Sequence, residues 1–155
     1  MQLKGNETVH AAPSRVWQLL MEPSSLAKLV PGISKLEVIS ENTFKLLLDI
    51  KIGPVSASFT GKLWLEDIVS EQSFTLKAQQ DSKIGNANTA IKIELVPVAD
   101  KQTEVIFDGD VKLSGMLATM GQRVVGGVAN TVTRQFFNNL EKELTVEENQ
   151  HYPSR

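Results

Sequence analysis

Residues 115–144 read GMLATMGQRVVGGVANTVTRQFFNNLEKEL, which is the one long helical pattern in the sequence. Its apolar residues recur in steps of four, at Met120, Val124, Val128, Val132, Phe136, Leu140 and Leu144. A step of four residues advances about 40° beyond one turn, so this apolar stripe drifts around the helix. The stretch therefore predicts a single C-terminal helix from about 115 to 144, packed against a surface that curves with the stripe.

The chain before this helix alternates between apolar and polar residues in one segment after another. The alternation is clearest in residues 55–66, and it recurs at 44–52, 74–78, 89–95 and 105–113. A period of two gives each strand one apolar face and one polar face. Consecutive strands of this kind, joined by short turns, indicate an antiparallel sheet.

A further strand is predicted at residues 2–11, followed by two short helices that begin near Pro13 and Pro23. One sheet has one apolar face, and only one long helix is available to cover it. The prediction is an α+β fold in which a curved antiparallel sheet of about seven strands wraps around the C-terminal helix. We expect a single domain over residues 1–144 and a polar, disordered tail over residues 145–155.

Composition excludes several classes of function. The 155 residues include 16 basic and 18 acidic side chains, for a net charge of −2, and contain no basic run of the kind that binds nucleic acid. The absence of cysteine excludes disulfides, thiolate metal sites and a cysteine nucleophile. The N-terminus lacks the apolar segment of a signal peptide, and no segment approaches the roughly 18 apolar residues of a membrane span. We expect a cytoplasmic protein with at most peripheral membrane contact.

The sequence offers no catalytic constellation. His10 and His151 lie outside any metal-ligand spacing, and the serines lack the GxSxG context of a nucleophile elbow. Glu7 shares the strand parity of Leu3 and Val9, which points it toward the apolar face. It is either a polar group in a cavity, needing a partner there, or a residue at a strand end that is open to water. We predict no catalytic residue, no metal and no covalently bound cofactor.

Small residues on the apolar faces predict a cavity between sheet and helix. A helical wheel places Gly121 near the centre of the stripe, and the sheet contributes Ala57, Gly61, Ala78, Ala87, Thr89 and Gly109. Close backbone packing, or tight bends in curved strands, would also explain such residues. The predicted lining consists of Glu7, Phe59, Gly61, Thr89, Ile91, Phe107, Leu117, Met120, Gly121, Val124 and Val128. We expect ligand entry at the N-terminal end of the helix, where Met116 and Met120 provide adaptable apolar side chains.

Several short motifs resemble one family, that of the carbon monoxide dehydrogenase G subunit. They are VHAAPSRVW at 9–17, LVPG at 29–32, IGPV at 52–55, FTG at 59–61, GNA at 85–87, GMLA at 115–118 and the pair Phe136-Phe137. The resemblance runs to about residue 144. It implies the helix-grip fold of the START-like (SRPBCC) superfamily, with an apolar cavity for a lipid or a quinone, in an accessory protein of a molybdenum hydroxylase complex. Some members of the family carry a C-terminal membrane anchor, whereas this sequence ends in a polar tail.

Three functions are consistent with these observations. The favoured one is a non-catalytic carrier of an apolar small molecule that serves a carbon monoxide dehydrogenase-type enzyme in assembly, membrane recruitment or electron-carrier coupling. The second is a cyclase or hydrolase acting on an apolar substrate through a cavity carboxylate such as Glu7. The third is an interaction protein whose cavity is filled by its own side chains.

Overall fold

The structure, a computed structural model, describes the backbone of residues 1–151 and the side chains of residues 1–145. The elements in chain order are β1 (Gln2–Val9), α1 (Pro13–Met21), α2 (Pro23–Leu29), β2 (Ile33–Ser40), β3 (Thr43–Ile52), β4 (Val55–Val69), β5 (Ser73–Ser82), β6 (Gly85–Ala99), β7 (Gln102–Ser114), α3 (Met116–Thr119) and α4 (Gln122–His151).

The seven strands form one antiparallel sheet in the order β1-β7-β6-β5-β4-β3-β2. Strands β2 to β7 each pair with their neighbours in sequence, and β1 adds to the far edge beside β7. Both short helices begin with a proline, whose fixed φ suits a first turn and whose missing N–H would have had no helical partner there. The predicted fold class is confirmed.

The sheet bends sharply where two glycines interrupt its inner face. A Cβ at Gly61 in β4 would overlap the carbonyl oxygen of Gln79 in β5, and one at Gly109 in β7 would overlap that of Ala90 in β6. The backbone of the paired strand therefore approaches each glycine so closely that any side chain there would displace it. These two glycines create curvature, as one of the alternatives from the sequence proposed.

The strand ends beside α1 and α2 enclose a solid core. Val16, Leu29 and Leu140 are completely buried there, one from each of the three helices α1, α2 and α4. The side-chain amide of Asn139 donates to the carbonyl oxygen of Leu29 at 3.0 Å, which ties α4 to the end of α2. The buried hydroxyl of Thr103 donates to the carbonyl oxygen of Ala11 at 2.7 Å and fixes the start of α1 against β7.

The C-terminal helix differs from the prediction at both ends. It is interrupted after Thr119, because Gly121 has a φ of 89° that no continuous right-handed helix can contain. The apolar period of four continues across this break, which is why the pattern alone predicted one helix. At the other end α4 continues past Leu144 to His151. Residues 145–151 of the predicted tail are therefore helical, and residues 152–155 lie outside the described residues.

The bend at Gly61 leads to a stability prediction. We expect Gly61→Ala to lower the free energy of unfolding by about 1–3 kcal/mol, because the added methyl group must displace backbone. Gly127→Ala is the matched control: it is an exposed helical position with no atom within 4 Å, where alanine should raise stability by up to about 1 kcal/mol. Urea denaturation monitored by circular dichroism measures both. Equal effects of the two substitutions would contradict the assigned close approach.

Candidate functional site

A cavity of about 380 Å³ lies between the inner face of the sheet and α4. Its walls are the inward-facing side chains of the strands and of α4, together with Leu20 of α1 and with Val30 and Pro31 after α2, and nearly all of them are apolar. The sheet contributes Leu3, Leu46, Leu48, Ile50, Val55, Phe59, Leu63, Leu76, Ala78, Gln80, Ala87, Thr89, Ile91, Ile93, Val105, Phe107, Val111 and Leu113. The helix α4 contributes Val125, Val128, Ala129, Val132, Thr133, Phe136, Phe137 and Leu140.

The polar contacts of α4 with other elements are concentrated in one half of the helix. In the described part of the chain, these contacts come from its C-terminal half. The Asn139 amide donates to Leu29, the backbone N–H of His10 donates to Oε1 of Glu141 at 2.9 Å, Arg15 donates to the carbonyl oxygen of Leu144 at 3.3 Å, and Lys28 forms an ion pair with Glu143 at 3.7 Å. Toward the N-terminus, Val128 and Val132 are only half-buried and line the cavity, while Val128 also packs against the cluster of Val55, Phe59 and Leu117.

The short helix α3 closes the end of the cavity that lies away from α1 and α2. Its Leu117 is buried in a cluster with Val55 and Phe59, and the Leu117 N–H donates to the carbonyl oxygen of Ile84 at 2.9 Å. On either side of α3 stands a glycine with positive φ, Gly115 at 71° and Gly121 at 89°. The segment that closes this end is therefore four helical residues between two glycine joints.

Six of the residues predicted from sequence line the cavity together: Phe59, Thr89, Ile91, Phe107, Leu117 and Val128. The ring of Phe107 also packs against that of Phe137, with 5.8 Å between ring centres. Met120 and Val124 lie beside the cavity, packed against the cluster of Val55, Phe59 and Leu117.

Three predicted lining residues lie elsewhere. Glu7 is exposed together with Asn6 and Thr8 in the edge strand β1, which agrees with the second of its two sequence interpretations, although Val9 at the end of the strand is buried. Gly121 is also exposed, with no atom within 4 Å of a Cβ built on it, so it makes a backbone joint and no cavity volume. Gly61 permits the approach of the neighbouring strand. The helical wheel misplaced Gly121 because the wheel assumes an unbroken helix.

Sequence reasoning missed Gln80, the one amide side chain on the cavity wall among the described residues. It is 7% exposed, on the inner face of β5. Its Nε2 donates to the carbonyl oxygen of Lys62 at 3.4 Å, while its Oε1 has no hydrogen-bond partner within the described chain. The parity of Phe74, Leu76 and Ala78 continues to Gln80, so extending that alternation by one step would have found it.

The lining has no charged side chain among the residues that the structure describes. Its polar side chains are those of Gln80, Thr89 and Thr133, and the Thr133 hydroxyl already donates to the carbonyl oxygen of Ala129 at 2.8 Å. Such a site binds by burial of apolar surface, with few groups available to orient a ligand. Within the described chain, no helix is long and apolar enough to cross a membrane.

Comparisons with known proteins agree with this architecture. A family model described as that of the carbon monoxide dehydrogenase G subunit (CoxG) matches residues 5–145. A solved structure of a conserved protein from Geobacillus kaustophilus superposes with a TM-score of 0.91 at 29% identity, covering 94% of this chain and 95% of that chain. A search of curated proteins finds no match.

More distant structures share the fold. A START superfamily protein from Mycobacterium smegmatis has a TM-score of 0.73 at 14% identity, covering 92% of this chain and 95% of that chain. The Zhui aromatase/cyclase from Streptomyces sp. R1128 has a TM-score of 0.70 at 12% identity, covering 92% of each chain. At these identities the likeness supports the START-like fold alone.

The cavity leads to a binding prediction. We expect Ala78→Phe to weaken binding of the uncharged fluorophore N-phenyl-1-naphthylamine at least about tenfold, because the ring would occupy space on the cavity wall. Ala90→Phe is the matched control, since Ala90 lies exposed on the outer face of β6. Fluorescence titration measures both affinities. Unchanged affinity in a folded Ala78→Phe variant would show that the fluorophore binds elsewhere.

Proposed function

Because this chain belongs to the CoxG family of carbon monoxide dehydrogenase accessory proteins, we propose that it is a non-catalytic carrier of an apolar, lipid- or quinone-like molecule. The observation that carries the proposal is the apolar cavity of about 380 Å³ beneath α4. Cavities of this size are in the range that accommodates small organic ligands. An open cavity favours a carrier over an interaction protein whose own side chains fill the interior.

The walls suit a hydrocarbon cargo on energetic grounds. Each methylene that leaves water for such a cavity contributes about 0.8 kcal/mol, so a chain of several carbons binds without any charged contact. Protein interiors are normally packed as densely as organic crystals, and wall atoms beside a space of this size lose dispersion partners. An apolar cargo would supply those partners and thereby stabilise the fold.

The family supports an accessory role for a carbon monoxide dehydrogenase-type molybdenum hydroxylase. Of the three roles considered from the sequence, electron-carrier coupling uses the cavity most directly, because a quinone is both apolar and redox-active. Membrane recruitment and assembly would use the outer surface instead. We place the protein in the cytoplasm, at the inner face of the membrane from which such a cargo would be taken.

The alternative of a cyclase or hydrolase rests on Glu7 as a cavity carboxylate. Glu7 is exposed at the edge of the sheet and therefore cannot act as a carboxylate inside the cavity. The aromatase/cyclase comparison concerns the shared fold, and an activity depends on the residues of a particular site. We therefore develop the carrier alone.

Cargo entry fits best at α3. This segment is held by one buried side chain, Leu117, and by the hydrogen bond of its N–H to Ile84. The glycines at either end, Gly115 and Gly121, can change backbone angles at low cost. Displacing α3 would open the cavity without disturbing the solid core between α1, α2 and α4. This location agrees with the entry expected at the N-terminal end of the helical stretch.

Extraction from a membrane tests the proposed function. We expect the protein to remove a short-chain isoprenoid quinone from phospholipid vesicles, so that quinone migrates with the protein after the vesicles are floated away. Ala78→Phe should lose this quinone and Ala90→Phe should retain it. Solvent extraction and absorbance quantify the cargo. If neither quinone nor phospholipid accompanies the parent protein, the carrier function is wrong.

Entry at α3 predicts a change in uptake rate. We expect Leu117→Ala to accelerate fluorophore uptake several-fold, since most of the buried side chain that retains α3 is removed. Ala118→Ser, an exposed position in the same short helix, should leave the rate unchanged. Stopped-flow fluorescence gives both rates. Equal rates for parent and Leu117→Ala would locate the entrance at another part of the cavity.

A further inference from the structure

Gln80 stands among small residues on the cavity wall. In the register of the sheet it lies between Gly61 of β4 and Ala87 of β6. Along its own strand, the preceding inward-facing residue is Ala78. The longest polar side chain in the lining thus has only the methyl groups of Ala78 and Ala87 beside it, while at Gly61 the backbone of β5 itself fills the position of a side chain.

The amide of Gln80 is only half satisfied. Nε2 donates one of its two N–H groups to the carbonyl oxygen of Lys62, and the reverse amide orientation would bring two acceptors together, so the oxygen is the amide atom that has no partner. Oε1 is buried and has no donor among the described residues. A buried polar atom without a partner is uncommon in native proteins and costs about 1–3 kcal/mol.

Little restrains this amide. Its one hydrogen bond is long, at 3.4 Å, and rotation about the last torsion of a glutamine is soft. On the side of β6, the neighbouring residue Ala87 carries only a methyl group. The amide can therefore turn its oxygen toward a ligand in the cavity.

We infer that Gln80 determines which end group the cargo carries: an apolar molecule with a hydroxyl group, whose O–H donates to Oε1 of Gln80. A carbonyl or ether oxygen offers lone pairs only and would leave the amide oxygen unpaired. This inference rests on the proposed carrier function and specifies its ligand class. Alkyl alcohols and hydroquinones both present this chemistry, whereas an oxidised quinone does not.

Two isomers isolate the hydrogen bond. Dodecan-1-ol and methyl undecyl ether have the same atoms and nearly the same length, but only the alcohol has a donor. The dissociation constant of each compound is measured by its displacement of N-phenyl-1-naphthylamine from the parent protein and from Gln80→Leu. We expect the ratio of ether to alcohol dissociation constants to fall about tenfold in the variant, equivalent to about 1.4 kcal/mol. Ether affinity should stay the same or improve, because leucine removes the unsatisfied oxygen.

Thr89→Val is the matched control. Thr89 also lines the cavity, opposite Ala78, and valine removes its hydroxyl while keeping its shape. We expect the ratio to be unchanged in this variant. A purely structural role for Gln80 would alter both isomers alike and leave the ratio at its parental value, which would overturn the inference. A shift in Thr89→Val without one in Gln80→Leu would overturn it as well.

A redox pair distinguishes the source of the hydroxyl. Decylubiquinone is compared with its reduced form, of which only the latter has O–H donors. If the parent protein binds the reduced form more tightly and Gln80→Leu does not, the cargo is a hydroquinone. If the parent protein prefers only dodecan-1-ol over its ether, the cargo is an alkyl alcohol. If parent and Gln80→Leu bind both pairs with equal ratios, the role of Gln80 is wrong and the carrier function stands. If no compound binds, the carrier function is wrong too.

Discussion

The sharp bend of the sheet at Gly61 and Gly109 is the constraint on which the other features depend. Where those glycines lie, neighbouring backbone occupies the position of a side chain. The sheet consequently curls around a space wider than one helix can fill with its own residues. Curvature that would be a packing defect in an ordinary two-layer fold becomes here the origin of a site.

The two halves of the molecule divide stability and function between them. The half with α1 and α2 is a conventional core, in which residues such as Val16 and Leu29 are completely enclosed, and its Leu20 and Leu140 border the cavity. The other half contains the cavity and is closed by α3. An imperfectly packed region can persist only if the rest of the fold provides sufficient stability, and the ties of Asn139 and Glu141 concentrate on the firm side.

The sequence predicted the structure correctly where apolar and polar residues alternate regularly, because each residue of such a pattern has the same surroundings as the next but one. Alternation predicted the sheet and its inner face, and with them Phe59, Thr89, Ile91 and Phe107 in the cavity wall. It failed where one residue departs from its pattern for backbone reasons. Gly121 fits the helical period, yet its positive φ depends on the surrounding turn and leaves no trace in hydrophobicity. Gln80 shows the opposite case. The alternation along β5 places it on the inner face, but a polar residue is not expected there, so its position was missed.

Because the polar contacts of α4 lie in its C-terminal half, we expect the two halves of the helix to differ in their native-state fluctuations. Segments with few buried contacts open locally at a free energy below that of global unfolding, often as a cooperative unit. In the described chain, α3 and the first turns of α4 form such a segment, whereas the region of Leu140 opens only with the whole fold. Amide hydrogen exchange would therefore divide one long α-helical stretch into two classes. A bound cargo would slow amide exchange selectively in α3 and the first turns of α4, so exchange rates there would measure how much of the protein carries cargo.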